Sequence, residues 1–275
     1  MQVYFIRHGQ STNNKLWEQT GSNQFRDEDP GLTEAGGRQA QALAEFLSQP
    51  RQSLETLPSR EPLLGSELQG FDPQNKAGFS LTHLYTSLMV RAVATGTAIA
   101  RALSLPLAGW ADLHEGGGIF LDDEDSGIPV SLPGKTRAFF TEHYPDLILP
   151  DWLGEQGWWY CRPFETRLER RLRARRVIDE IIARHGNTQD RVALVSHGGF
   201  FNHFMAVLIG LADQPRQPSD QAKQLLIGDN VILGPERELW FTLNNASISR
   251  VDLTPGENRL VYLNRVDFLP LDLIT

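Results

Sequence analysis

Cysteine occurs once, at Cys161, so this chain cannot close a disulfide within itself. Positive charge is in deficit as well: 26 Lys and Arg against 34 Asp and Glu leave a formal net charge of -8. A phosphate-backbone partner demands clustered positive charge, so nucleic acid is not an expected partner. No apolar run approaches the ~20 residues that span a bilayer, and no membrane segment is expected. The first β signal begins almost at Met1 with no leader-like segment before it, which sets a cytoplasmic location as the expectation. His-Glu-x-x-His and Cys-x-x-Cys spacings are missing, as are a Walker phosphate loop and a Gly-x-Ser-x-Gly elbow. Neither a metal nor a cofactor is therefore expected.

What is present suits a globular enzyme. With 40% hydrophobic and 22% charged residues in 275, the chain can bury a sizeable core. Four segments carry strand signals and stop at polar or glycine-bearing turns: Val3 to Ile6, Leu81 to Thr86, Pro106 to Leu113 and Arg191 to Val195. Helical patterns follow. Leu32 to Leu47 has Thr33 as its N-cap, with Ala40, Leu43, Ala44 and Leu47 on one face. Ser87 is positioned to cap a helix through Leu103, and Phe164 to His185 and Gly199 to Leu211 supply two more. Strands alternating with helices imply an α/β fold, its sheet mostly parallel and covered on both faces.

The end of the chain alternates instead, over Glu238 to Asn244, Ile248 to Leu253 and Arg259 to Asp267, around the turn at Pro255-Gly256-Glu257-Asn258. This predicts an antiparallel edge to the same sheet. Ser48 to Ser80 and Gly116 to Cys161 fall outside the alternation, and both read as insertions into one domain spanning 1–275.

In open parallel sheets the functional crevice lies beyond the carboxyl ends of the strands. The residues at those ends form a coherent set: Arg7-His8-Gly9, Arg91, His114-Glu115-Gly116 and Ser196-His197-Gly198-Gly199. Two histidines, two arginines and a carboxylate suit transfer of a dianionic phosphoryl group. Arginine forks neutralise its oxygens, a neutral imidazole can attack phosphorus, and a carboxylic acid can protonate the leaving oxygen. Gly9, Gly198 and Gly199 let backbone N–H groups approach the phosphate, and the helix after Gly199 can offer its N-terminal donors.

These motifs resemble the histidine phosphatase superfamily, the phosphoglycerate mutase-like fold, from Met1 to about Leu253 and in the right order. The resemblance implies a three-layer α/β/α sandwich with insertions over the active-site edge. It makes His8 the phosphorylated histidine, Arg7 and Arg91 the phosphate-binding arginines, Asn14 a side-chain amide on the phosphate, His197 and Gly198 phosphate ligands, and Glu115 the proton donor. Gln10 stands where the family has Glu or Gln. Leu32-Thr33-Glu34-Ala35-Gly36, Ser87-Leu88-Met89-Val90-Arg91-Ala92 and Asn245-Ala246-Ser247-Ile248 match further family segments. Where the family builds a lid, this chain has Gly116 to Cys161 with Trp152, Trp158 and Trp159. Lys135, Arg137 and Arg162 there are candidates for a second anionic group on the substrate.

Each residue has a plainer reading. His8 alone is a strand-end residue, Arg91 a solvated helix residue and Glu115 the start of a loop; Glu124 or Glu142 could serve as acid in its place. His83, His114, His143, His185 and His203 read as structural or surface residues, and Arg167 to Arg176 as a solvated helix face. The tryptophans pack the insertion by default. The convergence at strand ends favours a metal-independent phosphatase acting on a small phosphorylated metabolite, and a homo-oligomer is compatible with it. The rivals are a phosphoglycerate mutase and a catalytically silent phosphate-binding module. The mutase pattern continues Glu-Arg-His-Tyr-Gly, whereas this chain has Glu115-Gly116-Gly117-Gly118-Ile119.

Overall fold

The computed structural model describes residues 1–49, 72–210, 231–234 and 237–275. Its centre is a seven-stranded sheet built from β1 (Gln2–Arg7), β2 (His83–Thr86), β3 (Leu107–Gly109), β6 (Leu147–Ile148), β7 (Arg191–Ser196), β10 (Ile248–Thr254) and β11 (Glu257–Arg265). The order is β11-β10-β1-β7-β2-β3-β6, parallel from β1 to β6 and antiparallel at β10 and β11. That is the predicted mostly parallel sheet with an antiparallel edge.

Alternation along the strands explains the layers. Tyr4 and Ile6, with Ala193 and Val195, face α2 (Glu34–Ser48) and α3 (Val90–Leu103). Val3 and Phe5, with Val192 and Leu194, face α5 (Arg167–His185) and α6 (Gly198–Leu208). Phe5 meets Phe200, Phe201 and Phe204 of α6 at centroid distances of 6.3, 4.8 and 5.7 Å. Each fully buried ring of this kind contributes roughly 1.5–3 kcal/mol of hydrophobic stabilisation.

Helix starts follow the sequence in part. Thr33 caps α2 as expected, its side chain accepting from the Gly36 N–H, and Thr166 with Glu169 forms a capping box on α5. Ser87 does not cap α3. That helix begins at Val90 without a side-chain cap, and Ser87 turns toward another partner described below. Residue 211, the expected end of α6, lies outside the described residues. Two helices went unread, α4 (Arg137–His143) and α1 (Thr12–Thr20), the latter closed by a Ser11–Asn14 capping box and by Gly21 in the left-handed region.

Two strand expectations are corrected. Pro106 to Leu113 is a strand only over β3, then becomes a 3-10 turn at Ala111–Leu113. At Gly109 an added Cβ would lie 2.7 Å from Leu88, and the Trp110 N–H still donates to the Thr86 carbonyl of β2 before the 3-10 turn begins. Of Glu238 to Asn244, only the first residues are extended, in β9 (Arg237–Leu239). This strand pairs with β8 (Val231–Gly234) in a separate two-stranded sheet. The Phe241 N–H then goes to the Asn202 side chain rather than to a strand.

The two insertions differ. Of the first, 50–71 lie outside the described residues. Asn75 beyond them bonds both Tyr4 and Tyr262, tying the segment across the sheet. The second holds the hairpin β4 (Phe120–Asp122) and β5 (Pro129–Ser131), then α4 (Arg137–His143), and it also contributes β6. It supplies the sheet's edge strand as well as a cover. No described helix is long and apolar enough to cross a membrane.

Candidate active site

Strand register brings the predicted residues together. Arg7 pairs with Ser196 and Thr86 with Val195, so β1, β7 and β2 end at neighbouring levels and deliver His8, His197 and Ser87 to one edge. The His8 and His197 ring centroids are 5.0 Å apart. His8 Nδ1 lies 2.7 Å from the Gly9 carbonyl, which can only accept, so the proton sits on Nδ1 and the Nε2 lone pair faces the pocket. Arg91 Nε donates to that Nε2 at 3.2 Å. Burial, with Arg91 and then Arg7 adding to it, holds the His8 pKa well below the usual imidazole value, so the ring is neutral at neutral pH.

His197 sits fully buried at the start of α6, its Nε2 2.9 Å from Ser87 Oγ. Its pKa is likewise lowered, chiefly by burial and then by Arg91. The Ser87 hydroxyl thus orients the second imidazole, a role its reading as a helix cap missed.

Arg91 is held from behind by Asp29, whose Oδ1 is 3.7 Å from Nη1 and accepts the first N–H of α3 from Val90 at 3.0 Å. Burial pushes the Asp29 carboxyl up to about 6, against the pull of Arg91. Sequence reasoning passed over Asp29 because an acidic residue before Pro30 looks like ordinary turn chemistry. Arg7 is anchored through Nη1 to the Leu243 carbonyl. Its Nε is buried without a partner beside Gly198, and burial lowers its pKa to about 10. Both arginines remain cationic at neutral pH.

Asn14 spends its oxygen on the Ser11 N–H and hydroxyl and on Asn245, which also donates to the His8 carbonyl. Its amide nitrogen is the end left to meet an anion. Gln10 ties loops together through Gln39, Thr33 and Glu18.

Glu115 reaches the pocket, but the α6 donors are arranged differently from the expectation. The N–H groups of Gly199 and Phe200, expected to face phosphate, donate to the Glu115 carboxylate at 3.1 and 2.8 Å, and Gly116 N–H adds a third bond at 2.9 Å. A helix N-terminus favours an anion, and in this state the anion is Glu115. Glu115 is thereby fixed near both Arg7 and Arg91, each of which feels its charge.

The segment bearing Glu115 is held by a buried network that the sequence pattern hid. Arg167, Arg170, Arg171 and Arg173, expected on a solvated face, are all buried. Arg173 pairs bidentately with Glu165, at 2.7 Å for both bonds, and donates to the carbonyls of Asp112 and His114. Gly117 and Gly118 adopt positive φ, and a Cβ on Gly118 would lie 2.1 Å from the Trp159 ring. Trp158 and Trp159 pack against His114, so for them the packing role is the one realised.

Arg137 does not face the pocket. Its guanidinium bonds the carbonyls of Leu153 and Pro150 and braces the insertion. Lys135 pairs with Glu28 at 3.8 Å, and Arg162 lies over Trp152 and Trp159. One group among the described residues could hold a metal, His83, His185 and Asp190, with ligand atoms within 4.8 Å of one another. It lies where β2 and β7 begin, at the opposite edge from His8. Both His185 nitrogens there already meet Asp190 and Tyr85.

Comparison with known proteins agrees with this architecture. A structure of a mycobacterial glucosyl-3-phosphoglycerate phosphatase with vanadate matches with TM-score 0.51 and 18% identity, covering 96% of this chain and 99% of its own. Bacillus stearothermophilus YhfR matches with TM-score 0.51 and 17% identity, covering 97% and 98%. An Entamoeba histolytica phosphoserine phosphatase in complex with 3-phosphoglyceric acid matches with TM-score 0.50 and 15% identity, covering 98% and 99%. At these identities the likeness is one of fold. No curated protein sequence matches the chain. The family model of the histidine phosphatase superfamily (branch 1) matches residues 3–55 and 73–224. The chain therefore belongs to the histidine phosphatase superfamily, with chemistry of the phosphatase or mutase type.

Proposed function

We propose that the protein is a metal-independent phosphatase of small phosphomonoesters that works through a phosphohistidine on His8. The observation that carries this reading is the pair of neutral, buried imidazoles, one of them with its Nε2 aimed at Arg91. In the cycle, Arg91 leaves its bond to His8 for a phosphoryl oxygen. His8 Nε2 attacks phosphorus, and the bond from phosphorus to the alcohol oxygen breaks. Arg7, Arg91, Asn14, His197 and the Gly198 backbone take up the charge of the three equatorial oxygens.

Glu115 supplies the proton to the departing oxygen. After the alcohol leaves, Glu115 takes a proton from water as that water attacks the phosphohistidine. Phosphatase over mutase is supported by the glycine run after Glu115, which gives its space to aromatic packing by Phe164 and Trp159.

The test is a panel of phosphomonoesters assayed with and without chelator, on the native protein and on His8→Ala. Phosphate release that survives the chelator and vanishes in His8→Ala supports the reading. Isomerisation of monophosphoglycerates faster than phosphate release would decide for a mutase, and hydrolysis of no member for a silent binding module.

A further inference from the structure

Arg26 lies in the connection between α1 and α2. Its guanidinium carbon is 4.4 Å from the centroid of the Phe120 ring, at the start of β4. Phe120 in turn packs edge-on against Phe164, and a Cβ on Gly117, two residues past Glu115, would touch both rings. Arg26 is thus set at the rim of the pocket, on a platform supplied by the second insertion.

Its bonding is incomplete. The buried Nε has no hydrogen-bond partner, and the guanidinium forms no ion pair with a described residue. Asp122, Glu115 and Asp27 act on it from beyond contact, and its own charge bears on Arg91. Burying the Nε N–H without an acceptor is unfavourable, whereas stacking on an aromatic face holds the fork ready for one. An oxyanion is the group that fork fits. Arg7 and Arg91 already serve the phosphoryl group undergoing transfer, so a third arginine calls for a different anion.

Resting on the phosphatase reading above, we propose that Arg26 binds a second oxyanion, a carboxylate or a second phosphate, carried by the alcohol part of the substrate. The enzyme then selects doubly anionic phosphomonoesters over those with a neutral alcohol part. Of the cationic residues singled out in the insertion, Arg137 is committed to carbonyls, Lys135 to Glu28, and Arg162 stacks over Trp152 and Trp159 rather than over the Phe120 ring that carries Arg26.

The experiment compares kcat/KM within matched pairs: 3-phosphoglycerate against glycerol 3-phosphate for a carboxylate, and fructose 1,6-bisphosphate against fructose 6-phosphate for a phosphate. A charge-assisted contact of this kind is worth about ten- to a hundredfold, so one pair should show at least about a tenfold preference for the doubly anionic member. Arg26→Ala and Arg26→Gln should collapse that ratio to within about threefold, mainly through KM, with Arg26→Lys retaining part of it. The pair that responds identifies the anion. Equal rates within both pairs in the native protein, or a ratio that survives Arg26→Ala, would overturn the proposal. Should turnover be absent, calorimetric binding of the same pairs to His8→Ala protein gives the same comparison, and equal affinities overturn it. His8-dependent hydrolysis of p-nitrophenyl phosphate tests the phosphatase reading separately.

Discussion

Replacing Arg173 by Met should cost more stability than any other single charge removal on α5, and the structure sets the size. Arg173 is 1% exposed, forms two 2.7 Å bonds to Glu165, donates at 2.8 and 2.9 Å to the carbonyls of Asp112 and His114, and lies 4.4 Å over the Phe200 ring. Methionine keeps the stem but leaves a buried carboxylate and two carbonyls without donors. Removing one partner of a buried pair costs about 3–5 kcal/mol. With an unfolding entropy of about 0.6 kcal/mol/K for a chain of this length, Tm should fall by roughly 5–9 °C. Since Arg173 also anchors the segment ahead of Glu115, kcat/KM should fall with it. The double variant Arg173→Met/Glu165→Leu removes the stranded charge and should regain at least half of the lost stability. Urea and thermal unfolding measure both. A loss under about 1 kcal/mol, or strictly additive single effects, would refute the assignment of this pair as a structural anchor.

Two further outcomes follow from the same geometry. Gly118→Ala should destabilise by several kcal/mol, because the residue is at φ 81° and the new Cβ meets Trp159; unfolding midpoints check this, and a neutral result would show that Trp159 moves freely. Stability should also fall on acidification. His8, His114 and His197 have pKa values well below 6.5, so below that pH the unfolded chain binds protons that the native one does not. Each histidine's contribution is complete above about 6.5 and is lost as pH falls toward the folded value, at up to about 1.4 kcal/mol per pH unit. Asp29, raised to about 6, acts with the opposite sign between its ordinary value and 6 and offsets one of the three. A flat denaturation midpoint from pH 7 to pH 5 would contradict the burial of these imidazoles.

The legible parts of the molecule were those written locally. Val3 to Ile6 and Arg191 to Val195 are apolar runs cut off by polar residues, and their ends place His8 and His197 whatever the rest of the chain does. Caps such as Thr33 depend on three or four neighbouring residues. The arginines of α5 failed for the converse reason. Their helical spacing matches that of a solvated face, and only tertiary partners, Glu165 with the Asp112 and His114 carbonyls, reveal Arg173 as buried. The use of the α6 N-terminus by Glu115, the Ser87–His197 contact and the seating of Arg26 on Phe120 likewise join segments far apart in sequence. No pattern along the chain encodes such pairings.

The central claim is that His8 itself becomes phosphorylated. Rapid quenching of the protein with a labelled phosphomonoester, followed by peptide mapping, tests it most directly. The account predicts an acid-labile, alkali-stable label on the peptide containing His8, absent from His8→Ala, together with net retention of configuration at phosphorus because two in-line displacements occur. An unlabelled protein that still turns over with inversion, or a label on any other residue, would contradict it.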